Sequence, residues 1–138
     1  MKLKYYFFLV LLISFSALAE ISVITNPNNS ITEIDINTLK KLYLGKRKSF
    51  EDGTTAIVFE QDESSPVRDL FHSKVTNKSA SQLKAYWSSM MFTGKAQPPE
   101  SAGDDSGVIS KVSSIPNAVG YVDSGSVNDS VKVILTIP

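Results

Sequence analysis

Ala56-Ile-Val-Phe-Glu-Gln-Asp-Glu-Ser-Ser-Pro-Val-Arg-Asp-Leu-Phe71 runs apolar, halts at a polar turn and restarts with helical spacing. The pattern predicts strand, turn, helix. Ser65 suits the N-cap and Pro66 the first helical position, where a missing N–H costs nothing. The backbone N–H groups from Val67 onward, with the Ser64 and Ser65 hydroxyls, then face one small space that favours phosphate, sulfate or carboxylate.

Upstream, Ile21-Ser-Val-Ile24 alternates and runs into the turn formers Thr25-Asn-Pro-Asn-Asn29, which predicts a short strand and a loop. Asp35 caps a helix with Ile36, Leu39, Leu42 and Tyr43 on one face and Gly45 at its end. The basic loop Lys46-Arg-Lys48 follows. From Thr54 to Phe59 the nearly continuous apolar run predicts a strand covered on both faces. Beyond the turn, Val67, Leu70, Phe71 and Val75 form the buried stripe of a helix that stops near Asn77.

Ser79-Ala-Ser-Gln82 is a capping-box pattern, and Leu83, Tyr86, Trp87, Met90 and Met91 keep the i, i+3, i+4, i+7, i+8 spacing of a core-facing helix. Gly94, Pro98 and Pro99 make Thr93 to Gly103 a loop. Asp105 or Ser106 opens a last helix with Val108, Ile109, Val112 and Ile115 inward, broken at Pro116. Ala118 to Val122 and Val131 to Ile137 read as two strands joined by a turn from Asp123 to Ser130. Strands separated by helices imply an α/β layer structure with crossover connections.

The first residues, Met1-Lys-Leu-Lys4, an apolar block from Tyr5 to Phe15 and Ser16-Ala-Leu-Ala19, have the form of a secretory signal peptide. The apolar block is short of the ~20 residues needed to cross a bilayer, and Ala17-x-Ala19 fits a signal-peptidase site. Residues 1–19 are therefore expected to be removed, leaving 20–138 as one domain in the periplasm with no direct membrane insertion. The sequence has no cysteine, hence neither a lipid-attachment cysteine nor a disulfide. Without Lys2 and Lys4, 12 basic residues stand against 14 acidic ones, a balance that argues against nucleic acid or an anionic membrane as partner. Any anion site must be local.

Three segments, in order, resemble the periplasmic substrate-binding proteins of phosphate ABC transporters. Ile34-Asp-Ile-Asn-Thr-Leu-Lys-Lys-Leu-Tyr-Leu-Gly-Lys46 is similar to a helix of that family ending in Phe-x-Gly-Lys. The strand and turn through Asp62-Glu-Ser-Ser65 are the second segment, and Ile115-Pro-Asn-Ala-Val-Gly-Tyr-Val122 is similar to the family's Pro-Gly-Ala-Ile-Gly-Tyr. The resemblance spans nearly all of residues 20–138 but only one lobe of a two-lobed protein. It implies an α/β fold, a short mixed sheet flanked by about four helices, and a phosphate-binding turn of the form Arg-x-Asp-Gly-Ser-Gly-Thr. Asp62 and Ser64 match the aspartate and first serine of that turn. Glu60 stands at the arginine, Glu63 and Ser65 at the two glycines and Pro66 at the threonine, which removes a cation, a hydroxyl and a backbone donor.

The expected oxyanion-binding residues are thus Ser64, Ser65, Val67 and Arg68, the last being the remaining cation in the first helical turn. Arg68 either serves a bound anion or is neutralised by Glu60, Asp62 or Glu63. A helix terminus offers up to ~2 kcal/mol and each charge-assisted hydrogen bond ~1.5–3, against an association cost of at least ~4. Such a half-site reaches only millimolar affinity, whereas a micromolar receptor needs about −8 kcal/mol. The alternative is a ligand-free module that docks on a transporter or sensor.

With one histidine and no cysteine, His72 reads as a surface or satisfied side chain rather than a metal ligand. Lys46, Arg47 and Lys48 are a solvated loop or a partner contact. Neither serine has nucleophile-elbow glycines or a partner histidine, so no enzyme, cofactor or metal is expected.

Overall fold

The computed structural model describes residues 19–138. The leader predicted over Met1–Ala19 lies outside the described residues except for Ala19. The strands are β1 (Ile21–Thr25), β2 (Ile57–Glu60), β3 (Glu100–Ser101), β4 (Ala118–Asp123) and β5 (Lys132–Ile137). The helices are α1 (Ile36–Tyr43), α2 (Pro66–Val75), α3 (Ala80–Phe92) and α4 (Asp105–Ser114). One sheet has the order β3-β2-β4-β1-β5; β2 is parallel to β3 and β4, and β1 is antiparallel to β4 and β5.

Local chemistry starts the helices where the sequence places them. The Asp35 carboxylate accepts from the Thr38 amide at 2.8 Å. Ser79 and Gln82 exchange reciprocal bonds, Ser79 N donating to Gln82 Oε1 at 2.9 Å and Gln82 N to Ser79 Oγ at 3.2 Å. Each cap satisfies amides that have no carbonyl one turn earlier. α4 begins at Asp105 with Asp104 as its cap, accepting from Gly107 N at 3.0 Å.

The sheet is covered on both faces, because its strand residues point alternately up and down. Leu39, Leu42 and Tyr43 of α1 and Phe71 and Val75 of α2 pack with Val23, Val119 and Tyr121 on one face. Val108 and Val112 of α4 pack with Ile24, Phe59, Ala118 and Val122 on the other. Gly107 lets α4 come close: a Cβ there would lie 1.8 Å from the Ala102 carbonyl oxygen.

The short strand expected at Ile21–Ile24 is β1, which lies between β4 and β5 with all five residues buried, Ser22 being satisfied by Ser124 Oγ at 2.7 Å. The two C-terminal strands form as expected, but β1 separates β4 from β5 in the sheet. Several expectations are corrected. The strand expected over Thr54–Phe59 runs over Ile57–Glu60, and Ile57 is 39% exposed because β3 reaches only Phe59 and Glu60. Ile36, expected inward, is exposed; Ile34, just ahead of the cap, fills the core and donates its amide to Ile134 O. In α3 only Leu83 and Trp87 are buried, whereas Met91 is exposed and Phe92 almost wholly so. This helix attaches to the end of α1, the Tyr86 hydroxyl donating to Leu44 O at 2.5 Å, instead of lying on the sheet.

Candidate functional site

The carboxyl ends of the parallel strands β2, β3 and β4 share one rim, the usual place for a ligand crevice in an open α/β sheet. The chain leaves β2 through Gln61 to Ser65, where Asp62 N donates to Gly103 O and Ser65 N to Asp62 O, both at 2.9 Å. Ser101 Oγ donates to Asp62 Oδ1 at 2.5 Å, which ties the turn to β3. Between the starts of α2 and α4 lies a cleft of about 840 Å³.

Gln61 holds the two helix starts together. Its buried side chain donates through Nε2 to Asp105 Oδ1 at 2.8 Å and to Tyr121 O at 3.0 Å. Its Oε1 accepts from Ser65 Oγ at 2.6 Å. Asp105 also accepts from Ser126 Oγ at 2.7 Å, so its carboxylate is spent within the protein. The sequence offered Asp105 only as a helix start and did not mark Gln61, because the contacts from Gln61 to Asp105 and Tyr121 span 44 and 60 residues.

Of the residues singled out in the sequence, Ser64, Ser65 and Val67 line the cleft. The Val67 amide and the Ser64 hydroxyl take no hydrogen bond among the described residues. The Arg68 amide donates to Ser65 Oγ in a long bond of 3.4 Å, the cap contact of α2, and Arg68 does not line the cleft. The Arg68 side chain is elsewhere. Its guanidinium passes behind the turn, with Nε buried 3.8 Å from Glu60 Oε1 and without a hydrogen-bond partner.

Glu60 also turns inward. It accepts from the Tyr121 hydroxyl, from Gln61 N at 3.1 Å and from His72 Nε2 at 2.7 Å, while His72 Nδ1 meets Thr76 Oγ1 at 2.9 Å. His72 is thus the satisfied histidine of the two states its sequence context allows. Glu60 and Glu63 do not line the cleft; Asp62, Asp104 and Asp105 do, with no Lys, Arg or His beside them. Two helix N-termini, worth roughly half a positive charge each, therefore face an acid-only rim. The Asp104 carboxyl is held below its ordinary value, chiefly by the Gly107 amide. Among the described residues no group of three or more metal-ligating side chains comes together.

Burial and then the Glu60 carboxylate raise the ionisation of Tyr43 and Tyr121 above the ordinary tyrosine value of 10.0. An unfolded tyrosine ionises near pH ~10, whereas these two phenols stay protonated in the fold. Their contribution to stability is complete below that pH and is lost as pH rises through the raised folded values. In an alkaline titration, the phenolate absorbance of Tyr43 and Tyr121 is expected to appear together with loss of circular dichroism. Full ionisation of all tyrosines near pH ~10 in a still-folded protein would contradict the buried arrangement.

No protein-family model matches the chain, and no curated protein matches it. Solved structures do. A protein from Clostridium perfringens, named as a phosphate ABC transporter substrate-binding protein and solved with bound phosphate, superposes with a TM-score of 0.67 at 22% identity over 84% of this chain and 45% of its own. An ABC-type phosphate transport receptor from Vibrio cholerae gives 0.66 at 21% identity over 84% and 46%. PstS from Borrelia burgdorferi gives 0.63 at 20% over 84% and 47%. The fold is that of one lobe of a periplasmic binding protein. The chain spans about half the length of these proteins, and the resemblance noted in three sequence segments extends to the α/β architecture as a whole. Among the described residues no helix is long and apolar enough to cross a membrane.

Proposed function

We propose that the protein is an exported solute-binding-like lobe, residues 20–138, that binds phosphate or a similar oxyanion weakly and is linked to phosphate ABC transport. The unspent donors at the start of α2 carry this reading: Ser64 Oγ and the Val67 amide, on residues that line a cleft at the carboxyl rim of the sheet. Ser65 keeps its hydroxyl on Gln61 and sets the turn. Arg68 supports the turn and not the ligand, its amide on Ser65 and its guanidinium beside Glu60. The fold neighbour solved with phosphate supports the choice of ligand.

Asp62 Oδ1 already accepts from Ser101, and a carboxylate on the rim has only acceptors to offer. An oxyanion that carries its own proton is therefore favoured over sulfate. Calorimetric titration with phosphate is expected to give a dissociation constant of about 1 mM or weaker, following the half-site arithmetic. Ser64→Ala should weaken it further, and sulfate should compete poorly. If tens of millimolar phosphate shift neither the Val67 nor the Arg68 amide resonance, the proposal fails.

The acid-only rim favours a second reading, a periplasmic module that docks on a transporter or sensor without ligand. A membrane partner retained equally by wild type and Ser64→Ala, in phosphate-free buffer, would select it.

A further inference from the structure

A second concavity lies away from the cleft, where α1 and α3 end side by side. Both helices stop in the same way. After α1, Gly45 takes φ +68° and Lys46 N donates to Lys41 O at 2.9 Å; after α3, Gly94 takes φ +67° and Lys95 N donates to Met90 O at 3.0 Å. The left-handed glycine reverses the chain and leaves a lysine at each helix end. The two ends abut, since a Cβ on Gly45 would sit 3.0 Å from both Ala96 Cβ and Trp87 Cη2.

Between these ends and β2 runs a groove of about 460 Å³. Part of its lining is an apolar floor of Ile57, Trp87, Pro98 and Pro99, of which Ile57 is 39% exposed. Its rim carries Arg47, Lys48 and Lys95. Among the described residues none of these three cations, nor the adjacent Lys46, forms an ion pair. Arg47 spends only Nε, on Ser49 O at 2.6 Å. The single acid of the groove, Glu100, stands 3.8 Å from Lys111.

A cation at each helix C-terminus is ordinary electrostatics. That accounts for Lys46 and Lys95 but for neither the convergence of further unpaired cations on one groove nor its exposed apolar floor. The contrast with the cleft is sharp, for its rim holds three carboxylates and no base. Four of the 12 basic residues of 20–138, Lys46, Arg47, Lys48 and Lys95, thus gather at or beside this groove.

We propose that this groove binds an extended acidic segment of a partner protein, an apolar side chain of the segment resting on Ile57 and Trp87 and its carboxylates meeting Arg47, Lys48 and Lys95. An inorganic anion would leave the apolar floor uncovered, and a flat anionic surface would not fill a concave groove. Charge pairs at the rim set encounter rate and specificity, while the buried apolar contact supplies the anchor. The surface is independent of the phosphate cleft.

The probe is a fluorescent peptide, Glu-Glu-Leu-Phe-Glu-Glu, followed by anisotropy and by amide chemical shifts. Saturable binding that weakens with added salt is expected, with shifts at Ile57, Gly94 and Lys95 and none at Ser64 or Val67. The double variant Lys48→Glu, Lys95→Glu should bind at least about tenfold more weakly, equivalent to ~1.4 kcal/mol. Ile57→Ser should weaken binding without changing its salt dependence. Equal binding of Gln-Gln-Leu-Phe-Gln-Gln, unchanged affinity in the double variant, or shifts confined to the cleft would overturn the proposal. So would concentration-dependent self-association abolished by the double variant, which would make a second copy the occupant. Capture of the protein by phosphatidylglycerol vesicles in place of the peptide would assign the groove to a lipid surface.

Discussion

Glu60→Ala is expected to destabilise the protein by about 3–5 kcal/mol, the cost of stranding buried charge when one partner of a paired set is removed. The carboxylate serves several groups at once: the Tyr121 hydroxyl, the Gln61 amide, His72 Nε2 and, at 3.8 Å, Arg68 Nε. Its loss leaves a guanidinium nitrogen that already lacks a hydrogen bond without a counter-charge, and a buried imidazole without an acceptor. Urea unfolding followed by circular dichroism measures the loss. Combining Glu60→Ala with Arg68→Met should recover part of it, because the stranded cation goes too, whereas independent sites would simply add. A loss below about 1 kcal/mol, the range of exposed ion pairs, would mean that Glu60 is not the hub described here. Through the same hub Glu60 points into the core, away from the cleft.

Phe71→Ala is expected to cost a comparable 3–5 kcal/mol, the range for emptying a large aromatic site in a packed core. Phe71 is fully buried; its ring stacks on Tyr121 with centroids 3.8 Å apart and meets Tyr43 edge-on at 4.7 Å. It clamps α2 against β4 and α1 through these two aromatic contacts. Phe71→Leu, which refills most of the volume, should lose much less. If both variants unfold at the wild-type urea midpoint, α2 is not anchored through this ring. Because α2 carries Val67 in its first turn and directly follows Ser64 and Ser65, the Ala variant should also broaden the amide resonances around the cleft while leaving those of Gly94 and Lys95 sharp.

The legible parts of the fold are those decided over a few residues. Asp35, Ser65, Ser79 and Asp104 cap helices at or within a residue of the places their side chains indicate, since a cap needs only an oxygen and an amide two or three residues on. The turn at Ser64 and Ser65 was legible for the same reason. Misreadings came where periodicity stood in for packing. The spacing of Leu83, Tyr86, Trp87, Met90 and Met91 describes a face, but nothing in it says how much of that face the end of α1 covers. The alternation of Ile21 to Ile24 likewise carries no sign of two neighbouring strands and helices on both sides of the sheet.

Residues 20–138 by themselves determined the order of elements, the helix starts, the polar turn after β2 and the local supply of backbone donors, because these depend on φ, ψ and hydrogen bonds between near neighbours. Tertiary structure alone decided which charges meet. Arg68 leaves the cleft for Glu60, Glu60 gathers Tyr121 and His72, and Gln61 bridges two helix starts, each through contacts that arise only when the layers pack. A charged side chain reaches several ångströms in any direction, and its partner is chosen by burial, which chain-local rules do not encode.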